Sequence, residues 1–191
     1  GQRMAAFQRS VEQVLSLRPD RVAMYSYAHV PWLKKPQRVL AAHLPEGTEK
    51  FAIFVSGIER FVDAGYVYIG MDHFALPHDE IVHAQNDRTL HRNFQGYTTD
   101  EASTLLGFGT SAIGMLPQGY VQNPASTVAY REAILSGALA TARGRELTSG
   151  DRLRRAIIER LMCDLEVDVA KVAAAHGRSL DDFAPEFANL P

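Results

Sequence analysis

Cysteine occurs once in the 191 residues, at Cys163. A single thiol forbids an internal disulfide and any metal site built from several cysteines of this chain. Long apolar runs are missing as well: uninterrupted stretches such as Phe51 to Val55 fall far short of the ~20 residues that cross a bilayer. No membrane span is expected. Neither sign of charge is in surplus, with Lys and Arg at 20 against Asp and Glu at 22 and a net charge of -2. The basic excess that neutralises a phosphate backbone is lacking, so nucleic acid is not an expected partner. The start, Gly1-Gln2-Arg3-Met4, shows neither a signal-peptide pattern nor an Arg- and Ser-rich presequence, which makes the cytoplasm the default compartment. What is present is 46% apolar and 22% charged residues, the balance of a globular chain of about one and a half ordinary domains.

Phe7, Val11, Val14, Leu15 and Leu17 recur at helical spacing and stop before Pro19, which predicts an amphipathic helix over 2–17. Arg21 to Tyr27 mixes β-branched and aromatic residues as a strand does, and Ala28 to Trp32 reads as a loop. A second amphipathic helix is predicted over 49–64, with Thr48 as N-cap and Gly65 just past its end, followed by a strand at 66–70. This alternation predicts a parallel α/β sheet, since parallel neighbours need a crossover that is usually helical. Beyond it come a loop over 71–77, a short helix over 79–86 and an extended segment over 92–99. Asn123-Pro124 opens a further helix that ends at Gly137. Thr148 to Asp151 resembles a capping box, and helical spacing continues from Leu153 to Met162, then over 167–175 and 180–187. A domain boundary is therefore expected near residue 148, with α/β residues 1–147 before it and all-α residues 148–191 after it.

Four of the seven histidines, His73, His78, His83 and His91, fall close together beside Asp72, Asp79 and Glu80. Their spacings match no helical pair of metal ligands, and no metal site is assigned. Asp72 and His73 follow a strand, at the edge where α/β folds build pockets; the alternative is a loop Asp that caps a neighbouring backbone. Ala28 and His29 hold the matching position after the preceding strand, so both loops are expected at one mouth, although Ala28 also suits tight packing. Gly107, Gly109 and Gly114 fit neither nucleotide-binding glycine signature; they suggest backbone brought close to a ligand or to a neighbouring strand. Cys163, on an apolar helical face, reads as a core residue and not a nucleophile. Trp32 beside Lys34 and Lys35 reads as either a cradle for an anionic ring or an exposed loop.

Three blocks carry a resemblance. Tyr66-Val-Tyr-Ile-Gly-Met-Asp-His-Phe-Ala75, Leu90-His-Arg-Asn-Phe-Gln-Gly-Tyr-Thr-Thr99 and Leu106-Gly-Phe-Gly-Thr-Ser-Ala-Ile113, with Tyr27-Ala28-His29 and Pro31, resemble the oxygen-independent coproporphyrinogen III oxidases over nearly the whole chain. The His91 to Tyr97 block separates these from haem chaperones of the same radical S-adenosylmethionine (SAM) class, which form the alternative reading: a carrier without decarboxylase activity. Thr110 and Gly114 depart from the Val and Ser common in related sequences.

The resemblance implies a cytoplasmic radical SAM oxidative decarboxylase of porphyrin biosynthesis that converts coproporphyrinogen III to protoporphyrinogen IX. It implies two SAM molecules and one [4Fe-4S] cluster held by a Cys-x3-Cys-x2-Cys motif, with an electron donor as partner. One cysteine cannot supply three thiolates, so the cluster ligands are expected outside this chain. The chain then reads as a fragment, inactive alone: later strands and helices of a partial TIM-type (β/α) barrel, and the start of an all-α C-terminal domain. Ala28 and Ile113 correspond to SAM contacts. Gln95, His29, Asp72, His73 and Arg92 are candidates for the SAM or substrate pocket, and Arg92, Lys34 and Lys35 for the substrate's propionates, with solvated surface charge as their alternative. The whole protein is expected to be a monomer, and the fragment to self-associate through uncovered sheet edges.

Overall fold

The structure is a computed structural model that describes residues 3–183. It contains both helix and sheet, in two compact units that divide between Thr89 and Leu90.

The first unit opens with α1 (Met4–Leu17), closed by Arg18 in the left-handed region ahead of Pro19. It matches the predicted helix over 2–17 apart from Arg3, which precedes it as an extended N-cap, and residue 2, which lies outside the described residues. Strand β1 (Arg21–Ala23) is shorter than the predicted run to Tyr27, because from Met24 onward the chain lines a cavity. A 3-10 segment (Lys35–His43) leads to α2 (Gly47–Asp63). That helix starts ahead of the predicted Thr48 cap: the Lys50 N–H already bonds the Glu46 carbonyl, so Thr48 lies inside the first turn. Gly65, at φ +87°, ends it as predicted.

Strand β2 (Val67–Gly70) corrects the expectation of a parallel sheet. Gly70 (φ 146°) and Met71 (φ 51°) reverse the chain immediately, and the predicted loop becomes β3 (His73–Ala75). β3 pairs antiparallel with both β1 and β2, in the order β1-β3-β2, so the two strands expected as neighbours run in one direction with a third between them. One face of this sheet packs Phe74 and Tyr66 against Phe61 of α2 and Val11 of α1. α3 (Glu80–Asn86) follows, capped by the Asp79 carboxylate, which accepts from the Ile81 N–H at 2.9 Å.

In the second unit β4 (His91–Asn93) and β5 (Gly96–Thr98) form a hairpin where an extended segment was predicted. β6 (Ile113–Leu116) and β7 (Gly119–Gln122) pair antiparallel, and α4 (Thr127–Leu135) precedes β8 (Arg143–Glu146), which adds to β7. Ser126, not Asn123, caps α4. The Asn123 amide is occupied elsewhere, donating to the Gly107 and Gly109 carbonyls at 3.0 and 2.9 Å. α5 (Ser149–Asp164) begins with the expected capping box: the Asp151 N–H donates to the Thr148 hydroxyl at 3.1 Å, and the Thr148 N–H to Asp151 at 3.0 Å. α6 (Val169–Ala175) and a 3-10 turn (Leu180–Phe183) pack Ala173 and Phe183 on Leu153; residues 184–187 of the last predicted helix lie outside the described residues.

Compactness thus divides the chain at 89/90, whereas residue 148 marks the start of α5 inside the second unit. The reason is that α5 is bound to the hairpin. Arg160 donates to the Leu90 carbonyl at 2.6 Å, the Tyr97 hydroxyl to the Met162 carbonyl at 2.9 Å, and His91 meets Glu159 at 3.0 Å.

Candidate functional site

The first unit holds a cavity of about 650 Å³ lined by the segment from Met24 to Val30, by Leu40, by His43 to Pro45, and by Phe7, Lys50, Ile53 and Phe54. Size and lining suit a small organic ligand: mostly apolar walls with a few polar groups, here Ser26, His29, His43 and Lys50. Ala28 and His29 both face it. The Nδ1 of His29 is buried without a hydrogen-bond partner among the described residues, an arrangement that costs free energy unless a ligand atom completes it.

What shapes this wall is Gln37, a residue without any motif around it. Its side-chain carbonyl accepts from the Val30 N–H at 2.6 Å and its amide donates to the Ala28 carbonyl at 3.1 Å. One amide side chain therefore fixes the backbone on both sides of His29. An amide seven residues after Val30 and nine after Ala28 belongs to no sequence pattern.

Asp72 and His73 do not line this cavity. The reversal at Gly70 and Met71 carries them into the sheet, where the Asp72 carbonyl accepts from the Met24 N–H at 2.7 Å and His73 pairs with Ala23. Their side chains form a carboxylate–imidazole pair, Oδ1 to Nδ1 at 2.6 Å. His78 and His91 meet Asp20 and Glu159 respectively, and among the described residues no three of His, Cys, Asp and Glu converge as metal ligands. Lys34, Lys35 and Trp32 are exposed.

Ile113 opens β6 and is half-buried. A methyl group on Gly107 would lie 2.9 Å from the Ile113 carbonyl, and one on Gly114 3.0 Å from the Leu105 carbonyl. These glycines are therefore required by a neighbouring strand, the second of the two readings. The loop is held by other parts of its own unit, its Gly109 N–H donating to the Tyr130 hydroxyl of α4 at 3.0 Å and its Ser111 N–H to the Pro124 carbonyl at 2.9 Å.

A second cavity, of about 290 Å³, lies in the second unit against Arg92, Asn93, Phe94, Met115, Tyr120, Arg155, Ile158, Glu159 and Met162. Gln95 sits at the exposed hairpin tip, its N–H donating to Asn93 at 2.7 Å. Cys163 is fully buried, and burial raises its thiol to about 11. Such a thiol is poorly suited to deliver a thiolate ligand, so the residues present do not fit an iron–sulfur cluster.

No protein-family model matches the chain. The fold is that of part of a radical SAM enzyme: coproporphyrinogen III oxidase from Escherichia coli, described as one, superimposes with a TM-score of 0.87 at 38% identity, over 98% of this chain and 43% of that one. The sequence is homologous to part of the oxygen-independent coproporphyrinogen III oxidases. It is 49% identical to the enzyme of that name from Bradyrhizobium diazoefficiens over 177 residues, 92% of this chain and 39% of the relative. With the Pseudomonas aeruginosa relative the identity is 42% over 186 residues, 97% of this chain and 40% of that protein. The chain thus spans about 40% of the length of the curated relatives it matches.

Proposed function

We propose that the whole protein is a radical SAM oxidative decarboxylase acting on coproporphyrinogen III, and that this chain contributes ligand-facing walls of its active site. In that reaction two propionates become vinyl groups, each losing a β-hydrogen, CO2 and an electron, with SAM as oxidant and an electron donor starting the cycle. Bound SAM, with a [4Fe-4S] cluster held by residues other than these, supplies the one-electron chemistry. Residues up to 147 belong to a partial (β/α) barrel in this reading, and those from 148 to the helical domain that follows it. The protein acts as a cytoplasmic monomer.

The observation that carries the reading is the cavity at Ala28. It is large enough for an adenosine-containing ligand, Ala28 leaves its backbone approachable, and the orphaned His29 nitrogen offers a polar anchor. Ala28 would hold one SAM and Ile113 another, with His29, Gln95, Asp72 and His73 as further pocket candidates. For Asp72 and His73 the role is indirect, through the sheet that fixes Met24 at the cavity wall.

The test uses the full-length protein with its cluster reconstituted under anaerobic conditions. Coproporphyrinogen III, SAM and reductant should yield protoporphyrinogen IX and CO2. Stoichiometric haem binding without any vinyl product would defeat the reading in favour of a carrier.

A further inference from the structure

The second cavity has a composition that the first lacks. Two arginines line it, and each lies over an aromatic ring: Arg92 at 5.8 Å from the Tyr97 centroid and Arg155 at 5.9 Å from that of Tyr120. Neither makes a salt bridge among the described residues. Stacking engages the face of a guanidinium and leaves its N–H edges open, the edges that grip a carboxylate in two parallel hydrogen bonds. The rest of the wall is apolar, from Met115, Ile158, Met162 and Phe94, the last set edge-on to Tyr120 at 5.2 Å and 84°. Glu159 lines the cavity too, but its carboxylate is drawn to His91 at 3.0 Å, so an entering anion meets two guanidiniums against one engaged carboxylate.

We propose that this cavity, between the β4–β5 hairpin, the β6–β7 pair and α5, recognises one carboxylate arm of a ring-bearing organic acid, with Arg155 and Arg92 gripping the acid and Phe94 and Tyr120 flanking its ring. About 290 Å³ lies at the small end of ligand sites, enough for one ring with its acid arm but not for a macrocycle. On the proposed function, on which the identity of the ligand rests, the arm is a propionate of the tetrapyrrole and the two arginines determine specificity.

The experiment titrates the full-length protein with coproporphyrin III, the coloured, non-reacting tetracarboxylate, following the porphyrin's own absorbance. Arg155→Ala and Arg92→Ala should each weaken binding about tenfold, with Arg155→Lys intermediate, since lysine keeps the charge and loses the fork. The tetramethyl ester should bind weakly and equally to all forms. Circular dichroism and thermal midpoints verify folding, and Arg131→Ala, which removes an exposed arginine of α4 outside the cavity, should bind as the parent does. In turnover, the arginine variants should raise KM with kcat within about threefold. Normal turnover with unchanged Kd and KM in both variants overturns the inference and spares the proposed function. Arginine-dependent binding without decarboxylation overturns the proposed function and spares the site. Failure of the parent protein to bind the tetracarboxylate overturns the inference.

Discussion

Gln37 shows how much of a cavity wall can hang on one side chain. Its amide satisfies the Val30 N–H and the Ala28 carbonyl together, while the Val30 carbonyl accepts from Leu33 and Lys34 at 2.9 and 2.8 Å. The loop is thus tied to the 3-10 segment by polar bonds, not by buried apolar contacts. With each such bond contributing about 0.5–1.5 kcal/mol, Gln37→Ala should speed amide exchange at Val30 by roughly tenfold and weaken SAM binding in the full-length protein. Gln37→Glu keeps an acceptor for Val30 but loses the donor to Ala28, and should fall between. Mass-detected exchange across Tyr27 to Lys34 decides the matter; rates identical in all three forms would show that the loop holds itself.

Among elements, the junction of β1 and α3 depends on charge. Asp79 caps α3 and accepts from Arg21 at 2.8 Å, while Arg21 also reaches Glu80 at 2.9 Å. Burial opposes the Asp79 charge, but the hydrogen bonds from Arg21 and the Ile81 N–H outweigh it, and the carboxyl titrates below its usual 3.8. A group lowered in the folded state stabilises fully above its ordinary value and loses that contribution as pH falls through the lower folded value. Arg21→Gln should therefore cost about 1 kcal/mol at neutral pH, a modest figure because Arg21 is half-exposed, and should start acid unfolding at higher pH. Urea titrations from about pH 2 to 7 test this, and superimposable acid limbs for both proteins would refute it. The same scale explains what was legible in the sequence. Helices α1, α2 and α5 announced themselves because apolar periodicity and capping are local signals. β3 did not, since its three residues carry no apolar alternation and are placed by pairing on both sides, with β2 just before it and with β1 far upstream. β8, Arg-Gly-Arg-Glu, carries no apolar alternation and is placed only by its ladder with β7. In the site, Ala28 and His29 line the cavity although β1 stops at Ala23, well short of the predicted strand end that singled them out, whereas Gln37 and Arg155 stand in no pattern.

At the scale of the molecule, exposed apolar surface is the property to explain. Phe108 and Leu139 are 83% and 90% exposed, and Trp32, Leu33 and Val39 all exceed 70%. Each three-stranded sheet also ends in strands with a single strand partner, β1 and β2 in one and β6 and β8 in the other, with β6 bridged further at Met115 by Leu105. The two liabilities are not equal. β8 places Arg143, Arg145 and Glu146 on its exposed edge, a charge pattern that opposes pairing with another strand, and β1 is only three residues long. Apolar contact should thus dominate over edge pairing when these 191 residues are prepared alone. Light scattering should find a mass that rises with concentration, and ammonium sulfate should promote association, because it strengthens apolar burial while screening any charge attraction. Val39→Lys with Leu139→Lys should lower the apparent mass at equal concentration, while a change confined to the β8 edge, Arg143→Thr, should leave it unmoved. A single monomeric species at the highest soluble concentration, indifferent to sulfate, would mean that these side chains find partners within their own chain.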